Sequence, residues 1–325
     1  MRTFIVAVAC CTAVACALPA IAQSPAGGAW PNKPVRIVIP FAPGGPTDII
    51  ARLAGQKLSE ILGQPMVVES RAGAGGNIGT AAVAKSPPDG YTMLVTSSAY
   101  AVNVSLSPNP GYDPDRDFIP TVVVAKQANL IFVHPSLGVK TLAELLALAK
   151  TRKLAFASPG SGTTPHLTAE NLFNVISKLD VTAIHFRGAG PAIAAVVAGE
   201  PPVGAGAAST PLPHIKAGRL QPIAVSSAAR VAALPDVPTF AEAGFPGVED
   251  DTWIGIFLPA GTPQAIVQKL NESINQALRT ADMKERLDQL AFEPVGGTPQ
   301  QFAGYVKTEI AKWGKVVRAG NIKAE

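Results

Sequence analysis

The chain has 325 residues, 47% of them hydrophobic and 15% charged, with 27 basic against 23 acidic side chains and a formal net charge of +4. That length suits two domains better than one core, and the mild positive balance, without a dense Lys or Arg run, excludes a nucleic-acid grip. All three cysteines, Cys10, Cys11 and Cys16, lie near the start, which leaves the rest of the chain without a disulfide, a thiolate metal site or a cysteine nucleophile.

Residues 1–22 read as a cleavable export leader: Arg2, an apolar run over 4–18, Pro19, then the small residues Ala20 and Ala22 around Ile21. Cleavage is expected after Ala22 or Gln23, with delivery to the periplasm. The run is too short to span a bilayer comfortably. Lipid attachment at Cys10 or Cys16 is the second option. Arg2 is the one charged residue of the leader, so the exported chain carries +4 − 1 = +3, a balance that does not repel an anionic solute.

Beyond a polar lead-in to Trp30, strands and helices alternate. Residues 35–40 (VRIVIP) predict a buried strand; Ile49, Ile50, Leu53, Leu58, Ile61 and Leu62 share a helical face that Gly63 stops. Strands over 66–69 and 91–96 flank a short helix over 78–85. This order implies right-handed crossovers and a mostly parallel sheet. A second set follows, with strands at 122–124, 130–133, 154–157, 181–186 and 221–226. Its helices fall at 141–150, opened by the N-cap Thr141, and at 166–176 and 191–198. Two tail helices carry Ile266, Leu270 and Ile274 on one face and Phe302, Val306 and Trp313 on another. The pattern predicts two α/β lobes, the tail returning to the first, with lobe one over 23–125 plus 236–325 and lobe two over 126–235.

The glycines locate the candidate site. The first strand runs into Phe41, Ala42, Pro43, Gly44, Gly45, Pro46, Thr47 and Asp48; the second runs into Gly73, Ala74, Gly75, Gly76, Asn77 and Ile78. Each loop opens a helix. Ligands of open α/β sheets sit outside the carboxyl ends of the strands, where free helix amides favour anions and glycine admits close backbone approach. Asp48 has a sufficient role in stabilising its own helix terminus. Ile78 stands where a dinucleotide fingerprint needs glycine, and no Gly-Lys-Ser or Gly-Lys-Thr exists for a P-loop.

A third strand–helix loop holds Ser158, Ser161, Thr163, Thr164 and His166; a fourth holds His185 and Arg187 before Gly188. The hydroxyls are candidates for ligand contact, and Arg187 for a bidentate clamp on a second carboxylate or, equally, a structural ion pair. Thr96, Ser97 and Ser98 are weaker candidates. Ser161 with His166 as nucleophile and base is the catalytic alternative, but the spacing lacks a nucleophile elbow. His134, His166, His185 and His214 are scattered, so neither metal nor cofactor is expected. Trp253 either walls the cleft or packs in the core.

On these residues the chain resembles the tripartite tricarboxylate transporter substrate-binding family, the Bug proteins. The matching stretches are Trp30-Pro31, Pro40-Phe41 with Pro43-Gly44-Gly45 and Asp48, and Gly73 to Gly79. Further on come Asp89-Gly90-Tyr91, His166 with Glu170, Arg187-Gly188, Leu234 to Thr239 with Glu242-Ala243-Gly244, and Pro259 to Pro263. The resemblance covers the chain from Trp30 onward. It implies a two-lobed, type II periplasmic-binding-protein fold with the ligand cleft between the lobes. It also implies a monomeric, non-enzymatic receptor that passes a small carboxylate to integral membrane permease subunits, whether a di- or tricarboxylate, an amino acid or an aromatic acid. One carboxylate is then held by Phe41, Ala42, Gly44, Gly45, Thr47 and Asp48 with Ala74, Gly75, Gly76 and Asn77. Around the rest of the ligand come Ser158, Ser161, Thr163, Thr164, His166 and Arg187. His185-Phe186 departs from the family's usual Pro-Tyr. A sensor that presents its ligand to a membrane signalling partner is the alternative role, and a periplasmic hydrolase a further one.

Overall fold

The computed structural model describes residues 30–319, 322 and 323. The leader expected over residues 1–22 lies outside them.

The first lobe opens with β1 (Val35–Ile39), α1 (Pro46–Leu62), β2 (Met66–Ser70), a 3-10 turn at Ala74–Gly76, α2 (Asn77–Ala84), β3 (Thr92–Ser97) and α3 (Ala99–Leu106). β1 pairs in parallel with both β2 and β3. α1 begins at a proline, whose fixed φ suits the first turn, and ends where Gly63, at φ 72°, takes the left-handed cap and donates to the Ser59 carbonyl.

The next element departs from expectation. The two strands read from the sequence at 122–124 and 130–133 are one sixteen-residue strand, β4 (Phe118–Val133). It passes from one lobe into the other. The second lobe follows as α4 (Leu142–Thr151), β5 (Leu154–Ser158), α5 (Thr164–Glu170) running into a π turn over Asn171–Ile176, β6 (Val181–His185), α6 (Ala189–Val197), β7 (Val203–Ala207), α7 (Leu212–Lys216) and β8 (Gln221–Val225). Thr141 and Glu144 close a reciprocal capping box on α4. Here β5 lies parallel to β6 and β7.

The chain returns through β9 (Asp251–Pro259) to α8 (Gln264–Arg279), α9 (Ala281–Gln289), β10 (Glu293–Gly296) and α10 (Pro299–Ala319). β9 lies antiparallel between β3 and the first half of β4, which also takes β10; the second half of β4 takes β7 and β8, again antiparallel. The sheet is therefore mixed rather than mostly parallel, because both lobes are completed by strands that come back. Phe240 and Val248, expected in lobe one, pack in the second lobe's core beside Phe156 and Phe173.

Each sheet is covered on both faces. In the first lobe Ile37, Val95, Ile256 and Leu270 fill one side, while Tyr100, Trp253, Phe257, Phe302 and Trp313 fill the other. Trp253 is fully buried, and its indole N–H donates to Glu309 over 3.1 Å, so it is a core residue. In the second lobe Phe132, Ile193 and Leu212 lie opposite the Phe156 layer. Burying each such side chain stabilises by about 1.5–3 kcal/mol. These layers hold the carboxyl ends of β1, β3, β5 and β7, and the loops beyond them, in fixed relation.

Candidate functional site between the lobes

The loops at the strand ends interlock across the two lobes. The Ala42 amide donates to the Arg187 carbonyl over 3.0 Å. Ser98 Oγ lies 2.9 Å from Thr164 Oγ1, in hydrogen-bond contact. Close approach demands glycine at two of these contacts. A Cβ on Gly75 (φ 61°) would run into the Ser161 carbonyl, and one on Gly188 (φ 146°) would come within 3.0 Å of the Ala42 nitrogen.

The loops enclose a narrow cavity of about 30 Å³. From the first lobe it is lined by Phe41, Gly45, Pro46, Thr47 and Ser97. The second lobe contributes Pro159, Thr163, Thr164 and Pro165, with Ala189 from α6 and Ala207 from β7; Thr252 comes from β9. Among the described residues that line it, none is charged.

Its electrostatics come from the backbone. The N-cap of α1 is Gly45, with no side-chain cap, and the N-cap of α6 is Gly188, likewise uncapped. First-turn amides have no carbonyl within their own helix, and each helix start carries roughly half a positive charge. The two starts face one another: a Cβ on Gly45 would stand 3.5 Å from that of Ala189. Like ends brought together repel, and an anion between them turns that repulsion into attraction.

Of the residues expected at the site, Phe41, Gly45, Thr47, Ser97, Thr163 and Thr164 line the cavity. The others sit beside it. Asp48 accepts from the Gly44 amide at 3.0 Å and from Arg52 at 2.8 Å, shaping the first loop. Gly76 lies under the Phe41 ring, Gly75 accepts from Asn103 at 2.8 Å, and Asn77 donates to Ser107 at 3.0 Å. Ala74, at φ 48°, turns this second loop. Ala42 supplies its amide to Arg187, whose own side chain is exposed to solvent. Thr96 is buried in β3, and Ser158 closes its own turn by bonding with Gly160.

His166 is buried against Phe156 and His185, and its Nδ1 accepts from the Gly162 amide at 3.3 Å. Burial first, and the neighbouring His185 second, push its pKa down to about 3. The ring is neutral, so its 3.8 Å approach to Glu170 is not an ion pair. Ser161 Oγ is buried without a hydrogen-bond partner, so the two are not assembled as nucleophile and base.

Sequence reasoning missed Ala207 and Thr252, which stand on β7 and β9, two strands the pattern did not reveal. A weak signal existed in the Thr252-Trp253-Ile254 run after two acids.

A wider groove, about 510 Å³, lies where β4 and the segment entering β9 cross, and includes Lys126, Arg230, Asp250, Asp251, Tyr305 and Lys312. It is away from the carboxyl ends of β1, β3, β5 and β7, and its cations are already engaged: Lys126 by Asp251 at 3.8 Å and Glu293 at 3.5 Å, Arg230 by Glu242 at 2.9 Å, and Lys312 by Glu309 at 3.6 Å. The loop-lined cavity is the better site despite its smaller size, because the helix termini converge there.

Comparison with known proteins identifies the family and the fold. The family described as Tripartite tricarboxylate transporter family receptor matches residues 50–322. Protein BugT of Bordetella pertussis (strain Tohama I) is 37% identical over 309 residues, covering 93% of this chain and 94% of BugT. R. palustris Rpa4515, solved with adipate, superposes with a TM-score of 0.88 at 36% identity, covering 90% of this chain and 99% of that one. MatC from Rhodopseudomonas palustris, solved with bound malate, gives a TM-score of 0.84 at 34% identity over 89% of this chain and all of its own. Among the described residues no helix is long and apolar enough to cross a membrane. This chain belongs to the tripartite tricarboxylate transporter receptor family.

Proposed function

We propose that the protein is a periplasmic receptor that closes its lobes on a small carboxylate-bearing solute and delivers it to integral membrane permease subunits, after removal of the leader at residues 1–22. The observation that carries this reading is the pair of uncapped helix starts, α1 and α6, brought face to face by different lobes around a cavity without charged side chains. A carboxylate between them satisfies amides from both lobes at once, which ties binding to closure. The adipate and malate bound by two structural relatives are carboxylates of the expected kind. Phe41, Gly45, Thr47, Ser97, Thr163 and Thr164 form the wall in this reading, while Ala42, Gly44, Ala74, Gly75, Gly76 and Asn77 shape the loops behind it. The lobes turn about the crossing of β4 with the start of β9.

A thermal-shift panel of dicarboxylates, tricarboxylates, amino acids and aromatic acids tests it. A ligand raises stability by RT ln(1 + [L]/Kd), about 2.7 kcal/mol at a hundredfold excess over Kd. One class of acid is expected to stabilise the protein and to promote its capture by permease-containing membranes. A panel without a single shift overturns the reading.

A further inference from the structure

Three buried polar atoms beside the cavity are satisfied by nothing in the described protein. Gln127 Nε2, Ser209 Oγ and Thr210 Oγ1 have no hydrogen-bond partner, although their residues are only 3%, 2% and 8% exposed. They gather at one place, since the Ser209 amide donates to Gln127 Oε1 at 2.7 Å and Thr210 is the next residue. A buried polar group left unpaired is costly, so three together point to a polar guest.

Strand register sets the cluster next to the ligand. Gln127 stands opposite Thr252 across β4 and β9. Cross-strand partners share a face, so the Gln127 side chain leaves the sheet on the side where Thr252 lines the cavity. Lys126 and Ala128 alternate onto the opposite face, that of the wider groove. Ser209 and Thr210 come just after β7, whose last residue, Ala207, also lines the cavity.

The chemistry of the cluster has a sign. Gln127 Oε1 is held by the Ser209 amide, and turning the side chain over would set two donors against each other. The unpaired atom is therefore the nitrogen, which only donates, while each hydroxyl can donate or accept. A group that brings lone pairs is taken by all three. An ammonium, with donors alone, meets the Gln127 N–H groups head on.

We propose that Gln127, Ser209 and Thr210 form a second subsite of the cleft, which holds the far end of the solute by an oxygen acceptor and turns away an ammonium. A carboxylate and an amide carbonyl share this chemistry. The proposal rests on the receptor reading above and adds the end group and the residues that choose it.

The test is titration calorimetry at pH 8 with two matched sets: succinate, succinamate, 4-aminobutanoate and butanoate, then adipate, adipamate, 6-aminohexanoate and hexanoate. In the length that fits, the diacid, the monoamide or both should bind at least tenfold tighter than the amino acid and the plain acid. Which of the two leads tells whether the acceptor is charged or neutral. Gln127→Glu keeps the bond to the Ser209 amide and puts an acceptor in place of Nε2. The diacid should then lose at least tenfold and the amino acid should gain. Ser209→Ala keeps that amide and removes one hydroxyl, so the oxygen-ended acids should weaken at least threefold while the plain acid and the ligand-free melting temperature hold. A fall in that melting temperature with unmoved ligand ratios would make the cluster structural and overturn the proposal. A cluster that holds only water would bind all four acids of a set alike. That result also overturns the proposal, and it leaves the carboxylate receptor standing. Silence from all eight counts against the subsite, and the wider acid panel then judges the receptor reading on its own. Should Gln127→Glu fail to fold, the Ser209→Ala ratios decide.

Discussion

The amide of Ala42 donates to the carbonyl of Arg187 at 3.0 Å, joining the first loop of one lobe to the fourth loop of the other through backbone alone. Neither side chain takes part. The contact exists because Gly188, one residue further on, has no Cβ to meet Ala42, so the closed arrangement of the lobes is written in the glycines as much as in any ligand-facing group.

Gly75 gives the sharpest test of closure. Its φ of 61° strains any other residue, and a side chain there strikes the Ser161 carbonyl of the facing lobe. Gly75→Val is expected to hold the lobes apart and weaken the best ligand at least tenfold, while the far-ultraviolet spectrum stays that of the parent. Small-angle scattering with saturating ligand should show the variant more extended. A variant that compacts and binds like the parent would contradict this role.

The opposed helix starts predict an unusual gain. Ala189→Asp places a carboxylate on the first turn of α6 and within reach of the α1 start, replacing the solute's anion by one of the protein's own. Favourable charge at a helix start is worth about 0.3–1 kcal/mol, so the ligand-free variant should melt roughly 1–3 °C higher. Ligand should then add nothing. A lower melting point together with normal binding would remove the facing helix starts from the site.

His166 makes the protein sensitive to acid. Its pKa is pushed from 6.5 to about 3 in the folded chain, by burial above all. Below 6.5 the unfolded chain takes up a proton that the folded chain refuses, so stability falls as pH drops from about 6.5 toward 3, by about 1.4 kcal/mol per pH unit within that window. Comparing urea midpoints at pH 7.5 and 4.5, His166→Gln should lose less than the parent. Equal losses would show that the ring is charged in the folded protein.

Asp251 acts in the opposite sense. Burial raises its carboxyl from 3.8 to about 6, with Lys126 opposing. Between those values the folded chain holds the proton that the unfolded one releases, so stability declines as pH rises from about 4 to 6 and stays lower above. Asp251→Asn removes the penalty and is expected to stabilise by on the order of 2 kcal/mol at pH 8, with no gain at pH 4. The check is the same pair of denaturation curves, and a loss at pH 8 would mean that the Lys126 contact at 3.8 Å outweighs burial.

Much of this was legible in the residues themselves. The apolar face of α1 with its Gly63 stop, the Thr141 cap and the glycine loops after β1 and β2 are local signals. They report which face of an element is buried and where a chain turns, and with the family motifs they were enough to reach the two-lobed fold and the transporter receptor family. Local signals do not report pairing between distant strands. Pro120, Lys126, Gln127 and Asn129 interrupt the apolar pattern of 118–133, so β4 looked like two strands; only its ladders to β9 and to β7 show one strand serving both lobes. For the same reason Thr252 and Ala207 stayed hidden, since their places in the wall follow from register and not from their neighbours in sequence. The glycine loops keep their importance with a different division of labour, the first lining the cavity and the second holding Phe41 and meeting Ser161. The sequence by itself determined the elements, their caps and the loops at their ends, because those depend on contacts a few residues apart. The tertiary structure alone decided that two helix starts oppose each other and that Ser98, Thr164, Thr252 and Asn129 meet in one buried run of hydrogen bonds, because such relations exist only once both lobes have closed around one another.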